Sequence, residues 1–164
     1  MISILFICHG NICCSTMAQC VLTHMVKEKG IDDQFFIDSA ATSREEIGST
    51  PHYGTVNKLR QVGIPVIPHH AVQMTKEDYN KFDYLIGMDA ANIRNMQRIC
   101  DGDPDGKIYK MLSFAENPEK YKDWQGKIRD VADPWYTGDF DSTYKDVVAG
   151  CSGFITFLKN NRYL

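Results

Sequence analysis

Several features that would define other protein classes are scarce or missing in this 164-residue sequence. Lys and Arg number 18 against 21 Asp and Glu, and no basic run occurs, so nucleic acid is not an expected partner. The apolar run from Ile2 to Ile7 is too short for a signal peptide or a membrane span, which predicts a cytoplasmic protein with no membrane partner. No linker or repeat divides the chain, so residues 1–164 are expected to form a single domain.

The six cysteines do not indicate a disulfide framework, because a cytoplasmic chain keeps its thiols reduced. Cys8, His9, Cys13 and Cys14 are close in sequence, yet their spacing does not match ordinary zinc motifs and no second ligand pair follows. We therefore expect neither a metal nor another cofactor. Cys20 and Cys151 lie on apolar helical faces and are interpreted as packing residues.

Short apolar runs typical of buried strands alternate with amphipathic helical patterns. The predicted strands are Ile2 to Ile7, Phe35 to Ile37, Val66 to Ile67 and Tyr84 to Met88. The predicted helices are Met17 to Lys29, Tyr53 to Val62, Ile93 to Ile99 and Tyr144 to Leu158. This alternation predicts an α/β fold in which helices cover both faces of a parallel sheet, and the ligand site then lies beyond the carboxyl ends of the strands.

The first strand leads into the most informative segment, Cys8-His9-Gly10-Asn11-Ile12-Cys13-Cys14-Ser15. A buried strand followed by a Gly-Asn turn and a helix is suited to binding an oxyanion, because backbone N–H groups and the positive end of the helix converge there. A thiol at such a helix end has its nucleophilic thiolate form favoured. The segment therefore predicts a binding site for a phosphate-like anion beside a nucleophilic thiol.

The pattern Cys8-x-Gly10-Asn11-Ile12-Cys13-x-Ser15, together with Asp133-Pro134-Trp135-Tyr136, resembles the low-molecular-weight protein tyrosine phosphatases. The resemblance covers nearly the whole chain and includes Asp38-Ser39-Ala40 and Gly87-Met88-Asp89. It implies a doubly wound, four-stranded parallel sheet of flavodoxin-like topology. It also implies a phosphotyrosine protein phosphatase whose partners are phosphotyrosine proteins or small aryl phosphates and inorganic phosphate, with the chain a monomer or a weak homodimer.

The same resemblance implies roles for individual residues. Cys8 is the nucleophile that forms a phosphocysteine, Asp133 acts as acid and then as base, and Ser15 eases departure of the thiolate. The phosphate-binding loop then comprises His9, Gly10, Asn11, Ile12, Cys13 and Cys14. Ser39 and His69 support that loop, together with Asp89. Ile12, Glu45, Trp135 and Tyr136 line the substrate cleft, where the apolar Ile12 and the aromatic side chains favour an aryl ring.

One position departs from the family pattern. The signature has Cys, five residues and then Arg, and this chain has Cys14 at the Arg position. A guanidinium binds two phosphate oxygens and balances the charge of the transferring phosphoryl group, which a thiol does not do. By analogy with arginine fingers, its loss costs on the order of a thousandfold or more in rate. The fold thus predicts an enzyme and Cys14 predicts a strongly impaired one.

Two other hypotheses remain open at this point. The first is a pseudo-phosphatase or thiol redox switch that binds anions without hydrolysis, since family members with a cysteine at position 13 form a reversible disulfide in the loop and Cys14 adds a third thiol. The second is an arsenate reductase, which shares the fold and loop. That reaction requires two further reactive cysteines close in sequence, and Cys100 stands alone in the middle of the chain.

Overall fold

A four-stranded parallel sheet forms the centre of the computed structural model, which describes all residues 1–164. The strand order is β2-β1-β3-β4, as in flavodoxin-like sheets, so the predicted fold class is confirmed. The strands are β1 (Ile2–Cys8), β2 (Phe35–Ala41), β3 (Tyr84–Gly87) and β4 (Ile108–Lys110).

Six α-helices connect and flank the strands, with short 3-10 turns between some of them. They are α1 (Cys14–Glu28), α2 (Tyr53–Gln61), α3 (Asp78–Lys81), α4 (Ala90–Ile99), α5 (Pro134–Thr137) and α6 (Phe140–Asn160). The helix predicted from Met17 begins earlier, so Cys14 is its first residue. No helix has both the length and the apolar character that crossing a membrane requires.

The core lies on both faces of the sheet because β1, the most buried strand, alternates its side chains between them. Ile4 and Phe6 belong to the larger apolar cluster, which α1 and α6 cover. Leu5 and Ile7 belong to the smaller cluster, which also holds Met96 of α4. This arrangement fixes the end of β1 firmly between two layers of helices, and the loop that follows β1 begins there.

The predicted strand Val66 to Ile67 is wrong, and the fourth strand is β4. Val66 and Ile67 pack against the larger cluster, and the Ile67 N–H donates to Cys20 Sγ on α1 at 3.4 Å. The apolar pair is therefore partly buried against the core outside the sheet. The place beside β3 at the edge of the sheet is taken by β4. A short apolar run satisfies either environment, which is why its sequence did not distinguish them.

Candidate active site

The loop between β1 and α1 surrounds the thiol of Cys8. Asn11 has a left-handed backbone with φ of 59°, and its N–H donates to Cys8 Sγ at 3.2 Å. The Ser15 hydroxyl, in the first turn of α1, lies 3.0 Å from the same sulfur. A sulfur that accepts from an N–H and lies within hydrogen-bond distance of a hydroxyl at the start of a helix is in a setting that stabilises negative charge.

Buried polar groups hold the turn in shape. The Asn11 side-chain amide donates to Ser15 Oγ at 2.9 Å, and its Oδ1 lies 2.7 Å from His69 Nε2 and accepts from the Val72 N–H at 3.3 Å. Every polar group of the fully buried Asn11 side chain therefore has a partner. This pairing stabilises a backbone conformation that is unfavourable for most residues other than Gly.

His69 and Ser39 extend this network to α1. The Ser39 hydroxyl donates to Gln19 Oε1 at 2.6 Å and lies 3.3 Å from His69 Nε2. Burial lowers the pKa of His69, and Asp38, with its Oδ1 3.9 Å from Nδ1, opposes that shift. Gln19 was not among the residues predicted for the site. Its signal in the sequence is weak: a polar residue four positions after Ser15 on the buried side of α1.

The opposite side of the loop contains Cys14, whose thiol points at the Ala132 carbonyl oxygen 3.9 Å away. Burial raises the pKa of Cys14 well above its ordinary value, and the neighbouring Cys8 and Asp133 add to that rise. Burial, aided by Cys8, likewise raises the pKa of Cys13 to about 12. The thiols of Cys13 and Cys14 are therefore neutral at physiological pH, and neither supplies positive charge to the loop.

Asp89 lines the cleft, but its hydrogen bonds go to α4 rather than to the loop. Its carboxylate accepts from the Asn92 N–H at 2.7 Å, and the Asn92 side chain accepts from the Asp89 N–H at 3.1 Å. This reciprocal pair is a capping box at the start of α4. Burial raises the pKa of Asp89, with Asp130 and Asp133 contributing in the same direction.

Asp133 stands at the start of α5, across the cleft from the loop. Its carboxylate accepts one hydrogen bond, from the Trp135 N–H at 2.9 Å. Trp135 and Tyr136 follow it and are 59% and 85% exposed, so they present aromatic surface at the mouth of the cleft. His52, which the sequence did not single out, links the phosphate-binding loop to the aromatic residues after Asp133. Its backbone N–H donates to the Ile12 carbonyl at 2.8 Å, and its ring lies edge-on to Trp135.

These residues enclose a cleft of about 260 Å³ that contains four carboxyl groups and no Lys or Arg. At its rim, His9 Nε2 lies 3.0 Å from Glu45 Oε2, so a predicted residue of the phosphate-binding loop contacts a predicted residue of the substrate cleft. The lining residues are Cys8, His9, Gly10, Ile12, Cys13, Cys14, Glu45, Glu46, Met88, Asp89, Asn92, Val131, Asp133, Trp135 and Tyr136.

All six cysteines are unpaired and buried, and three of them lie at the cleft. Cys20 and Cys151 pack in the larger apolar cluster and Cys100 in the smaller one. No group of three or more His, Cys, Asp or Glu side chains is placed to hold a metal ion.

Together these features define a cysteine-centred site on the carboxyl rim of a flavodoxin-like sheet. Residues 3–163 match the family model for low molecular weight phosphotyrosine protein phosphatases, and the chain belongs to that family. Its curated relatives include the low molecular weight protein-tyrosine-phosphatase YfkJ of Bacillus subtilis, 33% identical over the full length of both chains. The human low molecular weight phosphotyrosine protein phosphatase is 36% identical over 93% of each chain.

The solved structures agree with the sequence relatives. The crystal structure of YfkJ from Bacillus subtilis superimposes with a TM-score of 0.89 and covers 98% of this chain and 96% of its own. The fold is therefore shared along almost the whole chain. The family hydrolyses protein phosphotyrosine.

Proposed function

We propose that this chain is a phosphotyrosine protein phosphatase that uses the Cys8 thiolate as nucleophile and that turns over very slowly because Cys14 occupies the position of the family's arginine. The observation that carries the proposal is the position of Cys8 Sγ, 3.2 Å from the Asn11 N–H and 3.0 Å from the Ser15 hydroxyl at the start of α1. Such donors stabilise the thiolate as nucleophile and again as leaving group.

In the first step, the Cys8 thiolate attacks phosphorus, the S–P bond forms and the P–O bond to the aryl group breaks. The protonated Asp133 gives its proton to the departing oxygen. In the second step, the Asp133 carboxylate takes a proton from water as the water oxygen attacks phosphorus. The S–P bond then breaks, inorganic phosphate leaves, and the Ser15 hydroxyl donates to the sulfur as its negative charge returns.

The slow turnover follows from the charge of the cleft. A phosphate monoester brings close to two negative charges into a site with four carboxyl groups, Glu45, Glu46, Asp89 and Asp133, and with no Lys or Arg. Cys14 is buried and neutral, so it neither offsets this charge nor donates two parallel hydrogen bonds. We expect the loss in turnover relative to an arginine-containing loop to be on the order of a thousandfold or more.

The substrate class follows from the walls of the cleft. Ile12, Trp135 and Tyr136 offer apolar and aromatic surface, which suits the phenyl ring of a phosphotyrosine protein or of a small aryl phosphate. Six unpaired thiols suit a reducing compartment, so we assign the chain to the cytoplasm. Nothing in the proposed chemistry requires a cofactor or a second subunit, and a monomer or weak homodimer is sufficient.

The proposal is tested by p-nitrophenyl phosphate hydrolysis, measured with reductant for the unmodified chain, for Cys14→Arg and for Cys14→Arg combined with Cys8→Ser. We expect Cys14→Arg to be faster than the unmodified chain by about three orders of magnitude, and the added Cys8→Ser to abolish that activity. Cys14→Ala serves as the matched control, because it removes the thiol without adding a cation. Equal rates for Cys14→Arg and Cys14→Ala would reject the proposed phosphoryl transfer.

A second candidate function is favoured by the three thiols at the cleft, Cys8, Cys13 and Cys14. In that case the chain is an anion-binding thiol switch: peroxide oxidises Cys8 to a sulfenic acid, a neighbouring thiol attacks its sulfur, and water leaves as a disulfide forms. Intact-mass measurement separates the two functions. A gain of one phosphoryl group after treatment with an aryl phosphate supports the phosphatase, and loss of two hydrogens after peroxide with no phosphoryl gain supports the switch.

A further inference from the structure

We propose that Arg129, Thr143 and Asp146 are positioning residues that fix Asp133 for proton transfer, an inference that rests on the proposed function. We call these three residues the acid-loop clamp. The Asp133 carboxylate accepts only the hydrogen bond from the Trp135 N–H, which belongs to the short helix that Asp133 caps. The position of its carboxylate in the cleft is therefore set by the backbone that precedes it.

Asp146 of α6 is the centre of the clamp. It is 5% exposed, and its carboxylate accepts two parallel hydrogen bonds from the Arg129 guanidinium, at 2.8 and 2.7 Å. Its Oδ2 also accepts from the Ala132 N–H at 3.1 Å. The planar guanidinium fixes the orientation of the carboxylate, and the carboxylate in turn fixes the peptide group one residue before Asp133.

Thr143 binds the carbonyl group of Ala132, the residue whose N–H Asp146 binds. Its hydroxyl, one turn earlier on α6, donates to the Ala132 carbonyl at 2.6 Å. The Val131 N–H donates to the Met88 carbonyl at 2.9 Å, just beyond β3. Residues 131 and 132 are thus bonded both to α6 and to the sheet, and Asp133 is the first residue beyond these bonds. A displacement of about 1 Å at such a residue is enough to reduce proton transfer strongly.

A second ion pair on α6 has no such relation to the cleft. Lys58 Nζ lies 2.6 Å from Asp141, and this pair joins α2 to α6 without contacting residues 129–133. Asp141 is mostly exposed, whereas Asp146 is buried. Asp146 is buried and Arg129 is partly exposed, and an ion pair of this kind adds little stability over apolar packing, so orientation of residues 131–133 is the better explanation for the clamp. Asp141→Asn is accordingly the matched control.

The test compares two substrates in the full-length chain carrying Cys14→Arg, which brings turnover into a measurable range. Phenyl phosphate has a poor leaving group that needs protonation, whereas p-nitrophenolate leaves with much less help from an acid. We expect Asp146→Asn and Thr143→Val to lower kcat/KM for phenyl phosphate, which reports formation of the phosphocysteine, by about tenfold or more and to lower kcat/KM for p-nitrophenyl phosphate much less. Asp141→Asn should leave kcat/KM unchanged for both substrates.

A double-mutant cycle distinguishes positioning from general stability. Because the clamp acts through Asp133, adding Asp146→Asn to Asp133→Asn should cause little further loss with phenyl phosphate. Arg129→Lys, which keeps the charge but loses the parallel hydrogen bonds, should give an intermediate loss with the same selectivity between substrates. Thr143→Val removes a single hydroxyl and keeps the inference testable if Asp146→Asn does not fold.

Two results would overturn the inference, and they are distinguishable. Equal losses of kcat/KM for both substrates, or a full further loss on top of Asp133→Asn, would show that the clamp has only a structural role while the phosphatase function stands. Absence of any Cys8-dependent hydrolysis in the Cys14→Arg chain would overturn the proposed function and the inference together.

Discussion

The two sides of the loop after β1 differ in how their polar groups are paired. On the support side, hydrogen bonds between neutral groups that are buried or, in His69, half-buried join Asn11, Ser15, Ser39 and His69 to one another or to Gln19. On the charge side, Cys14 faces carboxyl groups and no cation. The conformation of the loop and the charge that a dianion meets there are therefore specified by different residues, and we propose that the conformation is retained where the capacity to bind a dianion is reduced.

The support side should dominate stability. Asn11→Ala removes the hydrogen bonds to Ser15 and His69 and leaves a side chain that disfavours φ of 59°, so we expect the free energy of unfolding to fall by about 2–4 kcal/mol in urea denaturation. Asp101→Ala is the matched control, because Asp101 has φ of 57° but is exposed. Equal losses in the two variants would mean that the backbone conformation alone, and not the network, accounts for the effect.

A smaller effect concerns pH. Burial holds the pKa of His69 below its ordinary value of 6.5, so below that pH the unfolded chain takes up a proton that the folded chain resists. Stability from this residue is therefore present above pH 6.5 and decreases as the pH falls from 6.5 toward the lowered pKa. Urea denaturation at several pH values should show this decrease.

The His69 contribution has two controls. His69→Gln should flatten the decrease, whereas His24→Gln, a change on α1 where His24 pairs only with Glu28, should leave it in place. Asp38→Asn should enlarge the decrease, because Asp38 favours the protonated ring. Stability that rises on acidification through this range would contradict the assigned environment of His69.

The smallest effect is expected at the rim of the charge side. Glu45 and His9 are 70% and 60% exposed, so Glu45→Gln should change the free energy of unfolding by about 0.5 kcal/mol or less. It removes one carboxylate from the cleft, however, and phosphate should then bind a few-fold more tightly. Glu28→Gln is the control, since Glu28 also pairs with a histidine but lies outside the cleft. An equal gain in Glu28→Gln would exclude a local charge effect.

The sequence predicted the elements whose signal is local. One such region contains the strand ending at Cys8, the Gly-Asn turn and the helix after it. These elements are adjacent in sequence, so their contact could be predicted without knowing the overall fold. Asn11, Ser15, Ser39 and His69 do come together. β4 was missed because three partly buried residues carry little periodic signal. The bonds of Arg129 with Asp146 and of His52 with Ile12 were missed because they depend on how distant segments pack.

The most direct test of the separation between the support side and the charge side is binding of inorganic phosphate. It is measured calorimetrically for the unmodified chain, for Cys14→Arg and for Cys14→Ala. A guanidinium that donates two charge-assisted hydrogen bonds contributes about 1.5–3 kcal/mol, so Cys14→Arg should bind phosphate roughly tenfold to a hundredfold more tightly than either of the other two. Unfolding of the three chains without phosphate, measured alongside, reports separately any change in stability that replacing the buried Cys14 causes. If the unmodified chain binds phosphate as tightly as Cys14→Arg, the charge side is already complete, and Cys14 does not explain a loss of activity.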